Sequence, residues 1–175
     1  MVGQKRTACF ITGHIMGIEY VFVDTCVLAD ILAQYNPLKP HERMAESQFL
    51  KTDMVRMVNK IVEDENGDSG YIVSSSFAFV ELINKIDTIF SGNMKIERMM
   101  SIMSQPPSWL IIEPMNEQTA NFFCDIPNVV NGKNVSSDDS VHVATALQRG
   151  DELTFLTTDH ILKNMFFRGI TFLDT

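Results

Sequence analysis

The sequence is short of cysteine, basic residues and long apolar runs, and each shortage removes a class of function. No apolar stretch approaches the roughly 20 residues that a membrane-spanning helix needs. The longest patches are brief, such as Tyr20-Val21-Phe22-Val23 and Trp109-Leu110-Ile111-Ile112, so no membrane partner is expected. The three cysteines, Cys9, Cys26 and Cys124, are odd in number and match no zinc or redox spacing. A reducing, cytoplasmic location is the simplest expectation. Ala8-Cys9-Phe10-Ile11-Thr12-Gly13-His14 is broken too early to form a signal-peptide core. Lysine and arginine number 14 against 22 aspartates and glutamates, a net charge of −8. That balance argues against broad electrostatic binding to nucleic acid or anionic membrane, and leaves room only for a small basic groove beside an acidic site. No glycine-rich segment precedes a Lys-Ser or Lys-Thr pair, which removes Walker-type nucleotide hydrolysis.

What remains is an ordinary globular composition: 175 residues, 45% hydrophobic and 21% charged. One domain is the default at this length. Such a chain buries about 70% of the surface its unfolded form exposes, and so needs neither disulfide nor metal to hold a core. Residues 1–19 match no element and are read as an N-terminal extension. Residues 20–175 are read as the domain.

Strand-like and helix-like segments alternate along that domain. Strands are expected at Tyr20–Val23, Tyr71–Val73, Trp109–Ile112, Leu153–Thr157 and Ile170–Leu173. Helices are expected over 25–35, 41–63, 74–90, 94–103, 117–124, 136–148 and 161–167, from apolar spacing and capping residues. Gly132-Lys133-Asn134 is read as a loop. The alternation implies an α/β fold, a mostly parallel sheet of four to five strands with helices on both faces. In such sheets ligands bind outside the carboxyl ends of the strands.

Four acids sit near those ends. Asp24 follows the first strand, Glu81 lies inside the helix after the second, Asp139 opens the helix near Ser136, and Asp159 follows the fourth strand. Acids converging there would repel one another without a cation, and an all-oxygen set suits Mg²⁺ or Mn²⁺. Such a site drives in-line attack on a phosphodiester. Each acid also has a plainer reading. Asp24 and Asp159 suit helix caps, Ser136-x-x-Asp139 is a capping-box pattern, and Glu81 is spaced to pair with Lys85.

Taken together, three segments resemble a PIN domain, most nearly the single-domain toxin ribonucleases of the VapC type. They are Val23-Asp24-Thr25-Cys26-Val27-Leu28, Ser74-Ser75-Ser76-Phe77-Ala78-Phe79-Val80-Glu81-Leu82, and Asp138-Asp139-Ser140-Val141-His142-Val143-Ala144-Thr145-Ala146-Leu147 followed by Phe155-Leu156-Thr157-Thr158-Asp159. The resemblance covers residues 20 to 175. It implies that Asp24, Glu81, Asp139 and Asp159 bind Mg²⁺ or Mn²⁺, with Thr25 and Thr157 orienting the acids or a water. It implies an endoribonuclease in which a metal-bound water attacks RNA, a homodimer, and an antitoxin protein as partner. The first acid of such toxins lies near the chain start, whereas 23 residues precede Asp24 here. Asp138 stays open as the alternative ligand to Asp139, or as a supporting acid.

Other side chains carry two readings each. His142 shares a helical face with Asp139, as a supporting group or as a packed histidine. Lys85, Lys163 and His160 are placed to grip phosphate, or to serve as solvated surface groups. The methionines Met94, Met99, Met100 and Met103 give one helix an adaptable apolar side, for core packing or for a partner. Cys26 stands where a haloacid-dehalogenase-like phosphatase needs its second acid, which disfavours that chemistry. The main rival to a ribonuclease is a non-catalytic PIN-like module acting through protein partners.

Overall fold

The computed structural model describes residues 19–47, 49–84, 96–150, 152–167 and 169–174. Five parallel strands form the central sheet: β1 (Tyr20–Val23), β2 (Tyr71–Ser75), β3 (Leu110–Glu113), β6 (Leu153–Thr157) and β7 (Ile170–Asp174), in the order β3-β2-β1-β6-β7. The helices are α1 (Thr25–Gln34), α2 (Thr52–Glu63), α3 (Ser76–Asn84), α4 (Ile96–Ser104), α5 (Glu117–Asp125) and α6 (Ser137–Leu147). Two short strands, β4 (Val129–Val130) and β5 (Lys133–Asn134), make a hairpin between α5 and α6.

Topology decides which helix covers which face. The chain steps from β1 to β2 to β3 in one direction, then returns to β6 and β7 on the other side of β1. Parallel crossovers are right-handed, so reversing direction moves the connecting helices to the opposite face. The core divides accordingly. Val21, Val23, Ile72 and Leu156 meet α1, α2, α3 and α4 on one face. Phe22, Val73, Phe155 and Ile170 meet α6 and the segment around Leu162 and Met165 on the other. Alternation along each strand supplies both faces at once. β1 is central and its Val21, Phe22 and Val23 are fully buried. The point where strand order reverses lies between β1 and β6, and there the ends of both strands open a crevice.

One glycine fixes how β2 enters the sheet. Gly70 has φ +126, and a Cβ there would stand 2.1 Å from the Glu19 carbonyl oxygen. Tyr71 N–H donates to that same carbonyl at 2.8 Å, so the pairing of β2 with β1 begins on a backbone that only glycine allows.

Three expectations need correction. The helix expected over 41–63 is confined to α2, Thr52–Glu63. A helix of that length would run about 35 Å, whereas strands of four or five residues run about 15 Å. The segment before α2 instead folds back as a strap. Asn59 accepts from Met44 N–H at 2.7 Å and donates to Met44 O at 3.0 Å. Ser47 donates to Asp30 and accepts from Leu50 N–H, while Trp109 Nε1 donates to Pro40 O at 2.7 Å. Leu50 continues the helical spacing of Met54 and Met57, yet it and Met44 are buried from this non-helical strap.

The stretch read as a helix over 161–167 is a single 3₁₀ turn, Leu162–Asn164. Phe167 already bridges to Ile170 as the chain turns into β7. Gly132-Lys133-Asn134, read as a loop, belongs to the β4–β5 hairpin. Asn131 (φ 50) and Gly132 (φ 77) both take the left-handed conformation, as a tight hairpin turn requires. The end of the helix expected to reach Phe90, and the start of the next at Met94, lie outside the described residues. So do the residues of the proposed extension other than Glu19.

Candidate active site

All four acids face one cavity of about 310 Å³ at the carboxyl ends of the strands. Asp24 follows β1 and caps α1. Its Oδ1 accepts from Val27 N–H at 2.9 Å and its Oδ2 from Thr158 N–H at 3.1 Å. One carboxylate therefore starts a helix and ties the end of β1 to the loop after β6. Asp159 sits on that loop, where its Oδ1 accepts from the amides of Ile161 and Leu162. The capping reading of Asp24 is thus correct as far as it goes, whereas the 3₁₀ turn after Asp159 has Ile161 as its N-cap and no side-chain cap bond, so Asp159 holds the loop rather than capping a helix. These hydrogen bonds orient both carboxylates at the crevice and do not take them out of it.

Glu81 comes from α3 and is buried. Its Oε2 accepts from Thr25 Oγ1 and from His142 Nε2, the latter at 2.8 Å. Thr25 Oγ1 also lies 3.1 Å from His142 Nε2. The other imidazole nitrogen, Nδ1, is 2.9 Å from Ser75 Oγ, and that oxygen accepts from Ala78 N–H at 3.1 Å. With its amide bond satisfied, Ser75 is free to donate its hydroxyl proton to Nδ1, which leaves the imidazole proton on Nε2 facing Glu81. Phe77 closes one side of the ring, 5.5 Å between centroids. His142 is only 2% exposed, so it is packed inside the protein and in contact with a site acid at once. Sequence inspection missed Ser75 as a site residue. It stands 67 positions from His142, and no local spacing links them.

Asp139 lies in the first turn of α6, whose N-cap is Ser136. Ser136 Oγ accepts from Asp139 N–H at 3.0 Å and donates to Asp139 Oδ2 at 2.6 Å. Burial pushes the Asp139 carboxyl above the usual aspartate range, and the negative charges of Asp159 and Asp24 push the same way. The Ser136 hydrogen bond and the nearby His142 pull against them. Asp138 also lines the cavity but is exposed.

The remaining candidates separate. Thr157 is buried at the end of β6 and its Oγ1 accepts from Asp159 N–H at 2.9 Å, so it shapes the loop that carries the acid. His160 is exposed, lines the cavity, and its Nε2 is 2.6 Å from Lys133 Nζ. Lys163 sits on the 3₁₀ turn, half-buried, and does not line the cavity. Lys85 lies outside the described residues. Cys26 is part of the cavity wall, and Cys124 is exposed on the surface.

A divalent cation suits the donors present. The wall offers carboxylate oxygens from four separate elements, the ligand type that hard cations prefer. Burial is the main cause of the raised Asp139 carboxyl, and the charges of Asp159 and Asp24 that add to it are ones a cation would offset. Among the described residues, however, no three histidine, cysteine or acidic side chains are drawn into a ready-made ligand cluster. The carboxylates are held apart by their hydrogen bonds to Val27, Thr158, Thr25, His142 and Ser136.

A larger open cavity of about 480 Å³ lies at the opposite ends of the strands, around Glu19, Leu153, Phe166 and Ile170. None of the four acids reaches it. Among the described residues no helix is long and apolar enough to cross a membrane.

Comparison with solved structures agrees with this architecture. The chain is similar to VapBC2 from Rickettsia felis bound to a DNA fragment from its promoter, with TM-score 0.54 and 13% identity, covering 88% of this chain and 97% of that one. It is also similar to FitAB bound to an IR36 DNA fragment, with TM-score 0.51 and 22% identity, covering 87% and 93%. A third likeness is to FitAcB from Neisseria gonorrhoeae, with TM-score 0.50 and 20% identity, covering 88% and 96%. The chain therefore has the PIN-like α/β fold that its motifs resemble. No protein-family model and no curated protein matches the sequence.

Proposed function

We propose that this protein is a divalent-metal-dependent endoribonuclease that acts as the toxin of a toxin–antitoxin pair. The observation that carries the reading is the arrival of Asp24, Glu81, Asp139 and Asp159 at one cavity from four different elements. Capping would explain individual acids, but it does not require them to meet. Mg²⁺ or Mn²⁺ held by these carboxylates would supply charge neutralisation and an activated water for phosphodiester hydrolysis. The protein's own residues do the positioning. Asp24 locks the ends of β1 and β6 together, Thr25 and His142 aim Glu81, and Ser136 aims Asp139.

The similarity to complexes of the FitAB and VapBC2 type supports an antitoxin protein as partner. Homodimer formation and a cytoplasmic location belong to the same reading. One observation favours a second reading, a PIN-like module that binds partners without catalysis: Glu81 is already engaged by Thr25 and His142.

The deciding experiment is cleavage of labelled single-stranded RNA by wild type and Asp24→Asn, with Mg²⁺ or Mn²⁺ and with chelator. Metal-dependent cutting that vanishes in a folded Asp24→Asn protein supports the ribonuclease. Absence of metal binding by the wild type ends that reading, and equal cutting by both proteins removes the assigned site.

A further inference from the structure

The cavity poses a problem for an anionic substrate. Its wall holds Asp24, Glu81, Asp138, Asp139 and Asp159. Even with a divalent cation in place, RNA phosphates flanking the reacting one would meet surplus negative charge. Two histidines line this wall, and His142 is buried with both ring nitrogens engaged by protein. His160 is the exposed one.

His160 does not stand alone. Lys133 Nζ, which can only donate, lies 2.6 Å from His160 Nε2. That bond leaves the imidazole proton on Nδ1, so the pair has an ammonium and a ring N–H as donors and no remaining acceptor. Lys133 is delivered by the β4–β5 hairpin, where it pairs directly with Val130. Paired residues in an antiparallel ladder point to the same side, and Val130 packs against the core of this face. The hairpin thus holds Lys133, exposed and just outside the cavity wall, against the loop that carries Asp159 and His160. Asn164 Nδ2 holds that loop from below through His160 O, at 2.6 Å.

From this arrangement we infer that Lys133, with His160, forms the phosphate-gripping rim of the acidic cavity and positions single-stranded RNA for cleavage. The inference rests on the ribonuclease reading and adds to it a substrate contact on the hairpin. A single exposed cation gripping one phosphate is worth about a fivefold change in binding. It also adds about 0.7 to the log–log salt slope for a single strand.

The test measures cleavage of a labelled mixed-sequence single-stranded RNA by the full chain over a salt series, with Mg²⁺ or Mn²⁺. Lys133→Met is expected to raise KM about fivefold at little cost in kcat, and to flatten the salt dependence by about 0.7. Lys133→Arg keeps the charge and is expected to stay close to wild type in both. The inference is overturned if the wild type cuts RNA while Lys133→Met keeps its KM and salt slope. It is equally overturned if Lys133→Met loses kcat alone, or if Lys133→Arg is as impaired as Lys133→Met with the slope unchanged, since each outcome makes the lysine merely structural. A wild type that cuts no RNA removes the ribonuclease reading, and the proposed contact falls with it.

Discussion

Replacing His142 by alanine removes a buried ring that bonds Glu81 at 2.8 Å and Ser75 at 2.9 Å, and that lies against Phe77. The side chains of the His142–Glu81 pair are 2% and 10% exposed, so water does not readily replace the lost partner. Stranding a buried polar group costs about 1–3 kcal/mol. Thr25 still donates to Glu81 and Ser75 keeps its bond from Ala78 N–H, but the ring's packing against Phe77 is lost as well, so the loss belongs at the top of that range, at about 3 kcal/mol. For a domain of this size that lowers Tm by about 6–12 °C. His142→Gln, which can still direct an N–H toward Glu81, is expected to lose clearly less. Thermal unfolding by circular dichroism, in chelator, reads both variants. A drop below about 2 °C for His142→Ala would refute the claim that this imidazole organises the interior of the site.

Two further perturbations probe charge and the strap. The raised Asp139 carboxyl is a stabilising neutral group at low pH, and that contribution is lost as pH rises through its elevated pKa. Asp139→Asn cannot ionise, so in chelator its melting temperature should overtake the wild type's increasingly as pH rises from about 4 to neutrality, and saturating Mg²⁺ should narrow the gap. A gap that is independent of pH contradicts this. Asn59→Ala leaves the Met44 N–H and C=O without their side-chain partners inside the protein, so urea unfolding should show a loss of about 2 kcal/mol. An unchanged midpoint would mean that the strap is held by something else.

Much of the fold was readable because its signals are local. Tyr20–Val23 and Leu153–Thr157 announce buried strands by unbroken β-rich runs, and Ser136 announces α6 by its hydroxyl. The strap before α2 was misread because Leu50 continues the helical spacing that Met54, Met57 and Ile61 follow inside α2. What holds the strap is a pair of bonds to Asn59, 15 positions away, which no window of spacing contains. The hairpin carried a readable signal, Asn131-Gly132, that was not used. Within the site, the order of the acids suggested a common chemistry, and the resemblance placed Thr25, and helical spacing His142, beside them, but which acid each one meets, and the part of Ser75, were invisible. Thr25 meets Glu81 across 56 positions, and Ser75 meets His142 across 67. Such contacts exist only once the strands have been ordered.

The reversal of strand order also divides the site along the chain. Asp24 and Glu81 belong to the part that ends with β3 at Glu113, whereas Asp139 and Asp159 come from the part that follows. β1 lies at the centre, but β6, its neighbour on one side, is made long after β1. A nascent chain that has emerged only as far as Glu113 therefore carries half of the carboxylates and no partner for the open edge of β1. For a protein whose proposed activity would harm the cell that makes it, this ordering delays assembly of the acidic cavity until β6 and the loop carrying Asp159 have been made. It also marks the connection after Glu113 as a natural place to split the chain into two fragments, each carrying two of the four acids and neither able to form the cavity alone.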